Sequence, residues 1–140
     1  MLNGDVIDAM RISYGEILAV TEIERRELER RERLYRDDRP YPALEDASVI
    51  LVDDGLATGA SMRAAIAALR EKKPKRIVVA VPVGPDDTCA MLRHDADVVV
   101  CGTMPEPFGG VGAWYEDFAQ VSDEEVRMLI GRRAALREAS

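Results

Sequence analysis

The segment VILVDDGLATGAS, residues 49–61, constrains the fold of this chain more than any other segment. Its first four residues are aliphatic and predict a strand, Val49–Val52, that is buried on both faces. Two acids, Asp53 and Asp54, follow at the strand end, and small residues then lead into an Ala-rich helix. A strand, a small-residue turn and a helix N-terminus can cradle a phosphate, because glycine permits close approach and the first helical N–H groups are free.

The two acids narrow the choice of ligand. Carboxylates repel a bare phosphate, so Asp53 and Asp54 must face ribose hydroxyls, a metal ion, or both. A ribose 5-phosphate satisfies the whole segment, since it has a phosphate at one end and a diol at the other. A dinucleotide-binding turn would need G-x-G-x-x-G, which this segment lacks. A receiver domain would need a further acid on another strand and a lysine near the last strand, and the strand ending at Cys101 offers neither. The remaining alternative is a purely structural turn in which Thr58 or Ser61 caps the helix.

This segment resembles the phosphoribosyl-pyrophosphate motif of the type I phosphoribosyltransferases, and every position of that pattern is filled. The resemblance implies that Asp53 and Asp54 are catalytic residues that hold the ribose hydroxyls. It implies a loop for the 5-phosphate formed by five residues: Ala57, Thr58, Gly59, Ala60 and Ser61. It also implies Mg²⁺ as a cofactor, with Asp53, Asp54 and Asp117 as candidates for the metal site.

An aromatic stretch, residues 106–118, follows the last predicted strand. In the resembled family a base-binding hood occupies this place, which makes Phe108, Trp114 and Tyr115 candidates for stacking on a base. The alternative is that Trp114 and Phe118, four residues apart, pack as core aromatics.

Short apolar segments alternate with helical ones after residue 46, which predicts an α/β fold with a parallel sheet and helices on both faces. The predicted strands are Val49–Val52, Arg76–Val81 and Asp97–Cys101. Ligands bind at the carboxyl ends of the strands in such sheets, where Asp53 and Asp54 fall. We expect one phosphoribosyltransferase-like domain over 1–140: a helical segment in 1–45, an α/β core with a hood-like region in 46–118, and a C-terminal helix in 119–140.

The first 45 residues are predicted to be helical. Asn3 can cap a short helix over Asp5–Met10, and Ser13 with Glu16 is typical of the capping box of a second helix that ends near Arg36. Four pairs in this second helix place Glu four residues before Arg, the favourable order: Glu22/Arg26, Glu27/Arg31, Glu29/Arg33 and Glu32/Arg36. They favour a solvated helix over the alternative of a dimer arm.

No segment before Asp46 is predicted to be a strand, whereas the resembled family has an earlier strand and a loop that grips pyrophosphate. The sheet is therefore expected to be incomplete within this chain, and its free edge predicts a homodimer or higher homo-oligomer. Two functions stay open. One is an enzyme that transfers ribose 5-phosphate from phosphoribosyl pyrophosphate to a nitrogenous base. The other is a non-catalytic ribose-phosphate-binding module or a truncated, inactive fragment.

The composition and charge of the chain exclude several classes of binding partner. A formal net charge of −7 argues against binding to nucleic acid or to an anionic membrane. Cys89 and Cys101 lack C-x-x-C spacing, so we expect reduced core thiols and neither a disulfide framework nor a zinc site. There is no signal-peptide pattern and no apolar run of membrane length, and we expect a cytoplasmic protein.

Overall fold

The computed structural model of the chain describes residues 7, 9–36 and 40–138, with side chains described only as far as residue 131. The chain divides into two compact units. One is an α/β unit, Pro42–Phe118, and the other is a helical unit drawn from Leu2–Tyr41 and Ala119–Ser140. The single-domain assignment of 1–140 stays a prediction. The predicted cap Asn3 and half of the short helix after it lie outside the described residues.

The main elements follow one another in a simple order. They are α1 (Tyr14–Arg36), β1 (Ser48–Val52), α2 (Ala60–Arg70), β2 (Arg76–Val83), α3 (Asp86–Leu92), β3 (Val98–Thr103), a 3₁₀ turn (Val111–Trp114) and α4 (Asp123–Glu138).

The three strands form an open parallel sheet in the order β1-β2-β3. In this register Leu51 lies beside Val79, which in turn lies beside Val99. The predicted parallel α/β class is confirmed, and all three predicted strands are present. Both β2 and β3 run two residues beyond the predicted ends. Because neighbouring parallel strands end at one edge, the residues after β1, β2 and β3 meet at one rim of the sheet.

One face of the sheet carries the hydrophobic core. The inward residues of β2 alternate along the strand, and Ile77, Val79 and Val81 are buried. Side chains from both helices join them, including Ile66 of α2 and Leu92 of α3. Each such side chain stabilises the fold by roughly 1.5–3 kcal/mol when it is fully buried. This core fixes the start of α2 relative to the end of β1.

Two cysteines belong to this region, and both are free thiols, as the sequence predicts. Cys89 lies in the core, and burial raises the pKa of its thiol well above the usual range. Cys101 packs partly buried against the same core.

The opposite face of the sheet is open, which corrects the expectation that Val49–Val52 is buried on both faces. Ile50 is 63% exposed, Val52 75% and Val100 53%. The reason is topological: sequential right-handed crossovers from β1 to β2 and from β2 to β3 carry both connecting helices to the same side. Among the described residues no strand precedes β1, so β1 is an edge strand, as the sequence predicts.

The helical unit is built from α1 and α4, which contact each other. The predicted capping box of α1 is present: the backbone N–H of Ser13 donates to Glu16 at 2.9 Å, and the N–H of Glu16 donates to Ser13 Oγ at 3.3 Å. Arg30 pairs with Asp123 of α4 at 2.9 Å, and Tyr35 donates a hydrogen bond to the same carboxylate.

Two of the predicted ion pairs of α1 are also present, Glu22–Arg26 at 2.8 Å and Glu27–Arg31 at 2.7 Å.

None of the helices in the described part of the chain is long and apolar enough to cross a bilayer.

Candidate functional site

A cavity of about 190 Å³ opens where β1 ends and α2 begins. Its lining contains Asp53 and every residue of the predicted phosphate loop. The full lining is Asp53, Gly55, Leu56, Ala57, Thr58, Gly59, Ala60, Ser61, Met62 and Val111. A segment chosen from its sequence pattern therefore encloses a concave space large enough for a phosphoryl group.

The loop reaches the helix through Gly59, whose φ of +72° lies in the left-handed region. The backbone N–H of Arg63 donates to Gly59 O at 2.9 Å, so the earlier N–H groups of the first turn have no partner within the helix. The alternative is that a side chain caps this helix. The contact of that kind is a long one, from the N–H of Ala60 to Thr58 Oγ1 at 3.4 Å, and the N-cap residue Gly59 has no side chain to supply a cap. The first turn is therefore available to an anion.

Gly55 allows the segment after β3 to approach β1. A Cβ on this glycine would lie 2.6 Å from Val111 Cγ1 and 3.0 Å from the carbonyl oxygen of Val83. The next residue, Leu56, is buried, and its N–H donates to the same Val83 carbonyl at 2.9 Å. Any side chain at position 55 would push Val111 out of the cavity wall.

The two acids follow β1 directly, at the rim of the sheet, and both are exposed. Asp53 belongs to the lining and Asp54 does not. The Asp53 carboxylate accepts the N–H of Asp54 at 3.0 Å, while the Asp54 carbonyl accepts the hydroxyl of Tyr115 at 2.6 Å. The carboxylate of Asp54 thus stays exposed while its backbone is held by the aromatic segment.

The predicted metal residues do not form a preformed cage. Within the described ranges no group of three or more His, Cys, Asp or Glu side chains is placed to hold a metal ion. Mg²⁺ is typically bound through one or two carboxylates together with water and substrate phosphates. The donor set of Asp53 and Asp54 fits that kind of site, in which the ligand brings most of the oxygen atoms.

A second cavity, of about 240 Å³, lies at the same rim beside the aromatic segment. Its lining is Pro82, Val83, Thr103, Trp114 and Tyr115. Two of the three predicted stacking residues, Trp114 and Tyr115, therefore face one cavity. The third, Phe108, does not line it, and its carbonyl accepts Trp114 Nε1–H at 2.8 Å.

The alternative of core aromatics is wrong, since Trp114 is 46% exposed and Phe118 49%. Phe118 instead packs against Tyr115, with ring centroids 5.2 Å apart, and lies close to Gly112. The aromatic segment thus forms a small cluster above the rim.

Two residues that contribute to the site could not be found from the motif alone. Val111 lines the first cavity, and Thr88, on α3, donates its hydroxyl to the carbonyl of Ala57 at 3.0 Å. Both come from other parts of the chain, so no local spacing signals them. Thr88 comes to lie beside the predicted phosphate loop only when the strands have paired and α3 has packed on the sheet.

Comparison with known proteins identifies the family of the chain. The sequence profile of the phosphoribosyl transferase domain matches residues 2–117. Proteins from two strains of Mycobacterium tuberculosis, provisionally named phosphoribosyl transferases, are each 38% identical over 132 residues, which cover 94% of this chain. The crystal structure of TT1426 from Thermus thermophilus is 39% identical, with a TM-score of 0.70 over 87% of this chain.

The chain spans 30% of the length of the mycobacterial relatives and 59% of the Thermus chain.

Proposed function

Because this chain belongs to the phosphoribosyl transferase domain family, we propose that its α/β unit binds phosphoribosyl pyrophosphate at the carboxyl end of β1. The observation that carries the proposal is the cavity of about 190 Å³, which unites Asp53 with the whole loop from Ala57 to Ser61. The free N–H groups of the first turn of α2 take the 5-phosphate, and the helix dipole favours its charge. The acids at the rim take the ribose hydroxyls as charge-assisted acceptors.

The proposed reaction transfers the ribose 5-phosphate group to a nitrogen of a base. The bond from the ribose anomeric carbon to pyrophosphate breaks, and a bond from that carbon to the nitrogen forms. The protein contributes position and charge: the loop fixes the phosphate, and Asp53 and Asp54 stabilise the positive charge that develops on the sugar. One of these carboxylates accepts the proton that the nitrogen loses.

Mg²⁺ bound to the pyrophosphate would neutralise the charge of the leaving group. On this chain the residues that would face it are Asp53 and Asp54, as acceptors at the ribose end. Asp117 is proposed as a further contributor, from the aromatic segment.

The second cavity is the proposed place of the base. Trp114 and Tyr115 offer aromatic faces, and Thr103 offers a hydroxyl at the end of β3. The hydrogen bond from the Tyr115 hydroxyl to the carbonyl oxygen of Asp54 connects this cavity to the acids that are proposed to bind the ribose. A base bound here would therefore lie next to the reacting carbon.

A second candidate function is a ribose-phosphate-binding module without catalysis. It is favoured by the absence, among the described residues, of any strand before β1, which is where the resembled family keeps its pyrophosphate loop.

A pyrophosphate-release assay separates the two functions. The chain is mixed with Mg²⁺, phosphoribosyl pyrophosphate and a panel of purine and pyrimidine bases, and released pyrophosphate is measured. An enzyme releases pyrophosphate with at least one base, and Asp53→Asn lowers the rate by about tenfold or more, since a hydrogen bond to a charged group is lost. Glu71→Gln, at the far end of α2, is the charge-matched control and keeps the rate.

Binding without release with every base would support the module instead.

A further inference from the structure

Thr88 stands out because it is the one buried polar side chain among the residues that the structure describes, at 8% exposure. It lies in α3, outside the cavity lined by the phosphate loop. A buried hydroxyl needs a hydrogen-bond partner, because an unpaired one costs free energy. The identity of the partner of Thr88 is therefore informative.

Its hydroxyl has two acceptors within reach, Ala57 O at 3.0 Å and Asp87 Oδ1 at 3.3 Å. A hydroxyl has one proton to donate, and the shorter contact takes it. Asp87 Oδ1 already accepts the backbone N–H of Thr88 at 2.6 Å. The hydroxyl of Thr88 thus belongs to the loop, while Asp87 fixes the threonine itself.

The bond to Ala57 O sets the direction of the next N–H group. The carbonyl of Ala57 and the N–H of Thr58 belong to one planar trans peptide, so they point in opposite directions. The hydrogen bond turns the carbonyl of Ala57 toward Thr88, which is not part of the cavity lining. The N–H of Thr58 therefore points away from Thr88.

The methyl group of Thr88 packs against Gly59, the residue after Thr58. A Cβ on Gly59 would lie 3.0 Å from Thr88 Cγ2, so this methyl packs directly under the left-handed turn. The side chain of Thr88 therefore contacts two residues of the loop: its hydroxyl binds the carbonyl of Ala57, and its methyl group packs against Gly59.

We propose that Thr88 is a positioning residue for the phosphate loop: its hydroxyl anchors the carbonyl of Ala57 and so aims the N–H of Thr58 at the 5-phosphate. The inference rests on the proposed function, because it takes the loop as the anion site. Thr88 itself does not touch the ligand.

The test titrates the folded chain with inorganic phosphate and follows backbone amide signals by NMR. Thr88→Val keeps the shape and removes the hydroxyl, and it should weaken phosphate binding about fivefold, the equivalent of one net hydrogen bond. Thr88→Ser keeps the hydroxyl and should stay within about twofold of the wild type. Thr21→Val is the matched control, since the Thr21 hydroxyl also donates to a carbonyl, Ile17 O at 2.7 Å, but in α1.

The signal specific to positioning is the amide of Thr58. In Thr88→Val the phosphate-induced shift of this amide should be lost while the amide of Ser61 still responds. If Thr88→Val does not fold, Thr88→Ala against Thr88→Ser makes the same comparison. Equal phosphate affinity and an unchanged Thr58 response in the variant without the hydroxyl would overturn the inference, whereas a wild-type chain that binds no phosphate would overturn the proposed function.

Discussion

At the residue scale, Gly59 carries the strictest local requirement of the site. Its φ of +72° is a conformation that side chains disfavour, and a Cβ at this position would lie 3.0 Å from Thr88 Cγ2, closer than an ordinary contact. The turn directs the chain from the exposed loop into the first turn of α2, whose N–H groups are the proposed phosphate donors. The loop and the helix therefore meet at a position that only glycine fits without strain.

Gly59→Ala should destabilise the α/β unit by about 1–2 kcal/mol from the left-handed backbone alone, with a further cost from the contact with Thr88. Gly109→Ala is the matched control, because Gly109 has a similar φ of +70° and no neighbour within 4 Å of its Cβ position. Urea denaturation of both variants measures the difference. A Gly59→Ala variant no less stable than Gly109→Ala would show that Thr88 yields without cost.

At the element scale, ion pairs tie α2 to the turn before β3. Arg63 binds Asp95 at 2.8 Å and Arg70 binds Asp97 at 3.0 Å. Asp97 also accepts the N–H of Ile77 at 2.7 Å. That backbone hydrogen bond, with the Arg70 guanidinium, holds the pKa of Asp97 below its ordinary value of 3.8.

Because this pKa is lowered in the folded state, the carboxylate of Asp97 contributes stability above about pH 4 and loses it as the pH falls through the lowered pKa. Asp97→Asn should therefore lower the melting temperature at pH 7, and the difference from the wild type should shrink below about pH 4. Thermal melts between about pH 2.5 and pH 7 measure this. A difference that is constant over the whole range would contradict the role of the charge.

Features set by residues close together in the sequence could be predicted, whereas features set by contacts between distant segments could not. The strand, acids and loop of residues 49–61 were predictable because their spacing is local, and the capping box at Ser13 and Glu16 was predictable for the same reason. The open face at Ile50 and Val52 was not, because it depends on which side the crossover helices take. Thr88 was not predictable either, since α3 reaches Ala57 only after the sheet forms.

At the scale of the whole molecule, the sheet leaves both edges, at β1 and β3, and one apolar face without a covering strand or helix among the described residues. The outer edge of β1 has no neighbouring strand, and Val52 of the same strand is 75% exposed. Parallel strands are normally covered on both faces, and a free edge invites pairing with another chain.

The sequence predicts a homodimer or higher homo-oligomer, in which either the predicted helix from Ser13 to Arg36 packs against a second copy of this chain or the two sheets join edge to edge at β1. Light scattering at micromolar protein concentration should give at least twice the 15.5 kDa mass of one chain, and Val52→Lys should shift the mass toward one chain by placing charge on that surface. A well-folded monomer in the wild type would contradict the prediction.

One site is proposed to hold a phosphate at the loop and a diol at Asp53 and Asp54. Calorimetric titration of the wild type and Asp54→Asn with ribose 5-phosphate and with inorganic phosphate tests it most directly, with Glu71→Gln as the control. We predict that Asp54→Asn weakens ribose 5-phosphate binding about tenfold or more, since a hydrogen bond to a charged acceptor is lost, and that inorganic phosphate binds as well as before or better. Equal losses for both ligands would contradict the assignment of the acids to the diol.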